Sequence, residues 1–166
     1  MIVLGIDPGA GATGYGVVAR ERGGAVSLIE CGVVRTQPAA ALSDRLRTIY
    51  EGVAAVLARH SPDAMAVEGV FYGRNVRSTV VLGHARGVAL LAGSMAGVPV
   101  TEYSPAEVKN AITGTGRATK EQIEFMVQRL LRLKTPPTPS DAADAVAVAL
   151  CHFQADGLRA LLAAAR

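Results

Sequence analysis

Ile2-Val3-Leu4-Gly5-Ile6-Asp7-Pro8-Gly9, then a turn over residues 10–12, then Thr13-Gly14-Tyr15-Gly16-Val17-Val18-Ala19, is the stretch that decides the fold. Its first five residues are an apolar, largely β-branched run, long enough for a buried strand and too short for a helix. Asp7 ends that run, and Pro8 and Gly9 cannot continue a central strand. Beyond the turn, small or polar residues alternate with apolar ones, as a second strand would. The reading is a hairpin holding one carboxylate at the tip of a buried, central strand. An ionised group in that position is costly unless it is paired or metal-bound. Taken alone, Asp7 reads equally as a turn-former bonded to backbone two residues on. Residues 9–14 also match the dinucleotide fingerprint by letter, but that motif needs a helix N-terminus to receive the pyrophosphate. Here a strand follows, and Asp7 would repel phosphate, so nucleotide binding of that kind is rejected.

Working outward, residues 25–34 predict a third strand that completes an antiparallel meander. A helix follows, with Ser43 as its cap and Leu42, Leu46, Ile49, Tyr50, Val53, Val56 and Leu57 at helical spacing. Ser61-Pro62-Asp63 stops it. Residues 64–67 form a fourth strand that delivers Glu68, parallel to the first, and residues 99–103 form a fifth. Between them, residues 79–96 predict a helix apolar on most sides, either fully buried or shared with a second subunit. Ser104-Pro105-Ala106-Glu107 is a capping box with proline at the first helical position. Thr119 caps a helix over residues 120–133, and Ser140 caps a last one. The whole is an α/β chain with a mixed five-stranded sheet flanked by helices, read as a single domain over residues 1–166. The end, residues 154–166, carries no motif and reads as a tail open to fraying.

The chain has 166 residues, half of them hydrophobic, and no Trp. No apolar run approaches the ~20 residues of a membrane span. The N-terminus lacks the pattern of a secretory signal. Cys31 and Cys151 are isolated, as free thiols of a reducing cytoplasm are, and His60, His84 and His152 form no ligand pair and each reads as incidental. The expected location is therefore cytoplasmic. The net charge of +3 is unevenly spread: residues 69–134 carry nine basic and four acidic groups. That surplus suits a polyanion. Phe71 and Tyr72 stand among Arg74, Asn75 and Arg77, a mixture suited to stacking on bases and contacting phosphate. Phe71 would equally plug the core beneath the next helix. Lys109, Arg117 and Lys120 taken singly read as a solvated face; grouped about the 114–119 loop they favour DNA phosphate.

Asp141 and Asp144 lie three apart at the start of the last helix, on one face. The helix dipole alone favours acids there. With Asp7 and Glu68 they make four carboxylates from two strand ends and one helix start. Oxygen ligands without His or Cys suit Mg²⁺, with Mn²⁺ as substitute, rather than zinc. Two such ions about 4 Å apart form the usual clamp for in-line displacement at a phosphodiester, with Asp7 placed to bridge both.

These residues resemble the bacterial RuvC Holliday-junction resolvases. The resemblance is carried by Gly5-Ile6-Asp7-Pro8-Gly9, Thr13-Gly14-Tyr15-Gly16-Val17, Val67-Glu68 with Phe71 and Asn75, Val108-Lys109, Lys120 and Asp141-Ala142-Ala143-Asp144-Ala145. It runs from residue 1 to about 153. It implies a ribonuclease-H-like fold and a homodimer that nicks opposing strands of a four-way DNA junction symmetrically, in recombination and repair. It further implies that Asp7, Glu68, Asp141 and Asp144 are the catalytic tetrad, that Phe71 enters the junction centre, and that Lys109 and Lys120 meet phosphates. A branch-migration helicase complex is the partner it suggests. Gly69 departs from the family pattern, where a polar residue usually follows the glutamate. Three other readings compete: a ribonuclease-H-like nuclease acting on RNA or an RNA–DNA hybrid, a sugar-kinase or actin-like ATPase, and a junction binder without catalysis. The ATPase fold needs two such domains, and a mere binder does not need four acids.

Overall fold

The computed structural model describes residues 1–69 and 76–164, the last six of these as backbone. Phe71, Tyr72, Arg74 and Asn75 lie outside the described residues. Strands β1 (Ile2–Asp7), β2 (Ala12–Arg20) and β3 (Val26–Arg35) form the antiparallel meander. They are followed by α1 (Leu42–His60), β4 (Ala64–Glu68), α2 (Val76–Met95), β5 (Val100–Tyr103), α3 (Pro105–Thr113), α4 (Lys120–Leu130) and α5 (Ser140–Ala164). The sheet order is β3-β2-β1-β4-β5, with β4 parallel to β1 and β5 parallel to β4. This is the mixed, helix-flanked sheet of a ribonuclease-H-like fold, with β1 at its centre.

The two faces of the sheet follow from strand alternation. Leu4, Ile6, Met65 and Val67 pack with Ile49, Val53, Val56 and Leu57 of α1 and with Ala85, Ala89 and Ala92 of α2. Val3, Ala64 and Ala66 turn the other way, into a core shared with α3, α4 and α5. By the same alternation, Gly5 and Asp7 of β1 and Glu68 of β4 belong to that second face. Here α5 lies directly on the sheet. A Cβ on Gly5 would come within 2.0 Å of the Ala145 carbonyl oxygen, and one on Gly14 within 2.0 Å of the Asp141 carbonyl oxygen. A Cβ on Gly16 would meet Val146 at 2.5 Å. Gly5 pairs with Gly16 and Gly14 with Asp7 across the hairpin. The glycines thus form a side-chain-free seat, and α5 meets it with Ala142, Ala145, Val146 and Ala149, all buried.

Several local expectations are corrected. Ser43 does not cap α1: the helix begins a residue earlier, at Leu42, with Ala41 in the cap position and no side-chain cap bond. Ser140 is likewise inside α5, whose first amides reach the Pro139 carbonyl oxygen. α2 starts at Val76 rather than residue 79, and α4 ends at Leu130 rather than 133, ahead of Arg132 at φ 52°. The α3 box on Ser104 and the α4 cap on Thr119 are present, the latter completed by Gln122. His60 is not incidental. With Arg59 and the Tyr15 hydroxyl it converges on Glu30 of β3, at 2.6 Å from His60 Nε2 and 2.6 Å from Arg59. The Arg59 hydrogen bonds above all hold the Glu30 carboxyl down at about 2, and the cluster ties the end of α1 to the meander. Nor is His152 incidental, since Tyr103 and His152 form a buried hydrogen-bonded pair at 3.0 Å.

The backbone seat has a measurable consequence. Gly5→Ala places a methyl against main chain that cannot rotate away, and is expected to cost about 2–4 kcal/mol in urea unfolding. Gly157→Ala, in open space on the same helix, is expected to stabilise by about 0.5–1 kcal/mol.

Candidate active site

The register of the sheet places Asp7 and Glu68 side by side. Ile6 pairs with Val67 in the parallel β1–β4 ladder, so the next residue of each strand emerges at the same level, on the α5 face. Over them comes the first turn of α5. Because the Asp141 main chain rests on Gly14, itself paired with Asp7, Asp141 and Asp144 are brought down onto the strand tip. Carboxylate oxygens of Asp7, Asp141 and Asp144 all lie within 4.8 Å of one another, and Glu68 is hydrogen-bonded to Asp7. The four acids selected from sequence therefore converge at one point.

The electrostatics of this cluster are those of like charges forced together. Burial first, then the Glu68 and Asp144 charges, push the Asp7 carboxyl up to about 8. Glu68 is also raised, chiefly by burial, while the bond from Asp7 and the charges of Lys109 and Lys120 pull it down. Without an ion, then, the Asp7–Glu68 pair holds a proton to higher pH than solvated carboxylates would. Carboxylate oxygens gathered this closely, with Asp7 and Glu68 both reluctant to ionise, fit a hard divalent cation.

Beside the acids lies a cavity of about 290 Å³ lined by Glu68, Pro105, Val108, Lys109, Lys120, Ile123, Asp144 and Ala147. Lys120, first residue of α4, reaches Asp144 with Nζ 2.7 Å from Oδ2. Lys109, on α3, lines the same space. Arg117 is exposed in the α3–α4 loop, away from that lining. Arg77 stands in the first turn of α2 and shares a second cavity with Ala10, in the β1–β2 turn.

That turn is fastened by residues that sequence reasoning passed over. Arg45 donates to the Ala10 carbonyl from Nη2 at 2.7 Å and from Nε at 3.2 Å. The Thr36 hydroxyl donates to the same oxygen at 2.7 Å. The wholly buried Thr13 hydroxyl donates to the Gly9 carbonyl at 2.8 Å and accepts from the Gly9 amide. Arg45 looks like any polar-face arginine in sequence. The available signal was Thr13, a polar residue at the start of a strand that is mostly buried.

With this geometry in place, similarity to known proteins is informative. A family model for the crossover junction endodeoxyribonuclease RuvC matches residues 3–152. The crossover junction endodeoxyribonuclease RuvC of Desulforamulus reducens is 49% identical over 154 residues, covering 93% of this chain and 94% of its own. A Thermus thermophilus RuvC structure superposes with a TM-score of 0.88 at 42% identity, over 95% of this chain and 96% of that one. T. thermophilus RuvC in complex with Holliday junction substrate superposes with a TM-score of 0.86 at 42% identity, over 92% and 93%. Family match, sequence identity and superposition agree, and the chain belongs to the RuvC family of crossover junction endodeoxyribonucleases.

Proposed function

We propose that this protein resolves four-way Holliday junctions by paired, symmetric nicks, hydrolysing phosphodiesters to 5′-phosphate and 3′-hydroxyl ends. The observation that carries the reading is the convergence of Asp7, Glu68, Asp141 and Asp144 at the tip of the central strand. These four would hold two Mg²⁺ ions, or Mn²⁺ in their place. Bound there, the ions would acidify the attacking water and neutralise charge on the leaving oxygen. The chain's own part is positioning. Asp7, held by the fastened turn behind it, would bind as the carboxylate, with Glu68 its immediate neighbour. Lys109 and Lys120 offer positive charge to the phosphate in the adjoining cavity. Arg77 and Arg117 extend that field outward, and Phe71, Tyr72, Arg74 and Asn75 are proposed as junction contacts because they join Glu68 to α2 in sequence.

The homodimer belongs to the same proposal. On α2, Val76, Val80 and Leu91 are more than half exposed, as is Met95. Gly83 and Gly87 fall on the same stripe with open space beyond them. An apolar stripe with glycines at its middle suits close packing of two helices. No described helix is long and apolar enough to cross a membrane, which accords with a cytoplasmic site of action.

The decisive experiment compares a synthetic four-way junction with linear duplex and RNA–DNA hybrid in Mg²⁺. Paired nicks confined to the junction, lost about a thousandfold or more in Asp7→Asn, are expected. Equal cutting of hybrid would overturn the substrate. Leu91→Glu is expected to sediment as a monomer and to nick junctions singly; a dimer that nicks in pairs would remove the α2 stripe from the interface.

Proton linkage supplies a further prediction. Burial and the neighbouring acids push the carboxyl of folded, ion-free Asp7 up to about 8, against an ordinary 3.8. Between those values the native state holds more protons than the unfolded one, so ion-free stability falls as pH rises. At pH 8, ion-free Asp7→Asn is expected to melt a few degrees above wild type, on the order of 1–2 kcal/mol. The two should converge near pH 4, and Mg²⁺ at pH 8 should raise the wild type far more than the variant.

A further inference from the structure

Lys120 occupies an ambiguous position among these groups. Its backbone is set by the Thr119–Gln122 capping box at the start of α4. From there its ammonium crosses to α5 and closes on Asp144 at 2.7 Å. Asp144 is one of the three aspartates whose oxygens gather within 4.8 Å. One carboxylate that a metal ion would use is thus already satisfied by a cation belonging to the chain. The same ammonium lines the cavity of about 290 Å³ beside Glu68 and Lys109, a space that admits a phosphate group.

The lysine end of the pair is open to exchange. Asp144 is only 25% exposed, but Lys120 is 47% exposed, so water and an arriving anion can reach its ammonium. A divalent ion arriving on Asp144 meets a positive charge at contact distance. A phosphate arriving in the cavity offers that charge another partner. Each event removes an obstacle to the other, and such a linkage acts equally in both directions.

Building on the metal-site reading above, we propose that Lys120 is a displaceable internal counter-ion. It holds Asp144 while DNA is absent, and transfer of its ammonium to a backbone phosphate releases Asp144 to the metal ion. Metal and DNA therefore bind cooperatively through this one side chain, and the free enzyme is kept short of its full metal complement. Lys109 is the natural control. It lines the same cavity and acts on Glu68 through its charge, so its removal reports the general effect of deleting a nearby cation.

The test is Mn²⁺ titration of the full-length protein without DNA, followed by calorimetry and by the electron spin resonance of free Mn²⁺. Circular dichroism checks that each variant is folded. Lys120→Met is expected to bind Mn²⁺ about five- to tenfold more tightly than wild type, and Lys109→Met less than about twofold. Lys120→Arg, which keeps the charge, should stay near wild type. In the reciprocal measurement, Ca²⁺ should tighten junction binding by wild type more than by Lys120→Met. Equal Mn²⁺ affinity in the two lysine-to-methionine variants, or weaker binding by Lys120→Met than by wild type, overturns the counter-ion role and leaves the metal site standing. Failure of every protein to bind Mn²⁺ overturns both.

Discussion

Main chain lies against main chain where α5 crosses Gly5, Gly14 and Gly16, and the active site depends on that contact. Side chains of ordinary size on the strands would lift the helix by several ångströms and carry Asp141 and Asp144 away from Asp7. The alanines on the underside of α5 serve the same end. They lose no rotamer freedom on burial and leave little scope for the helix to settle at another height. A small-residue interface of this kind gains less from burial than one of leucines. What it supplies is placement of acid over acid.

That placement works against the stability of the ion-free protein. The Asp7 carboxyl is driven up to about 8, first by burial and then by its acidic neighbours, so the site stores unfavourable charge that a cation relieves. The surrounding scaffold is correspondingly over-determined. Arg45, Thr36 and Thr13 bind the turn behind Asp7 through carbonyl oxygens rather than through the carboxylate, which leaves the acid's own oxygens for ligation.

Much of this was legible in the sequence because the relevant signals are local. The meander, the strand that ends on Glu68, the box on Ser104 and the cap at Thr119 each follow from alternation or capping chemistry within a few residues. The convergence of four acids was also legible, since strand ends and a helix start in an α/β chain face the same edge. What escaped is non-local. Ser43 and Ser140 look like caps, but α1 already begins at Leu42 and α5 at Ser140 itself, so both serines lie inside their helices. Arg45 is thirty-five residues from the oxygen it holds, and no spacing rule connects them. The glycines of β1 and β2 read only as small residues within strands, and their purpose appears only once α5 is seen lying on them.

The sheet also separates two kinds of surface. The carboxylates project from the face covered by α3, α4 and α5, whereas the unburied stripe of α2 belongs to the opposite layer. Between them stands β1, wholly buried from Val3 to Ile6. A rigid partition of this sort acts as a ruler. Were two copies joined along α2, the span between their cutting centres would be set by sheet thickness and helix contact, not by any loop. Substitutions in the stripe would then change the reach of the paired enzyme across its substrate while leaving the chemistry at each centre untouched.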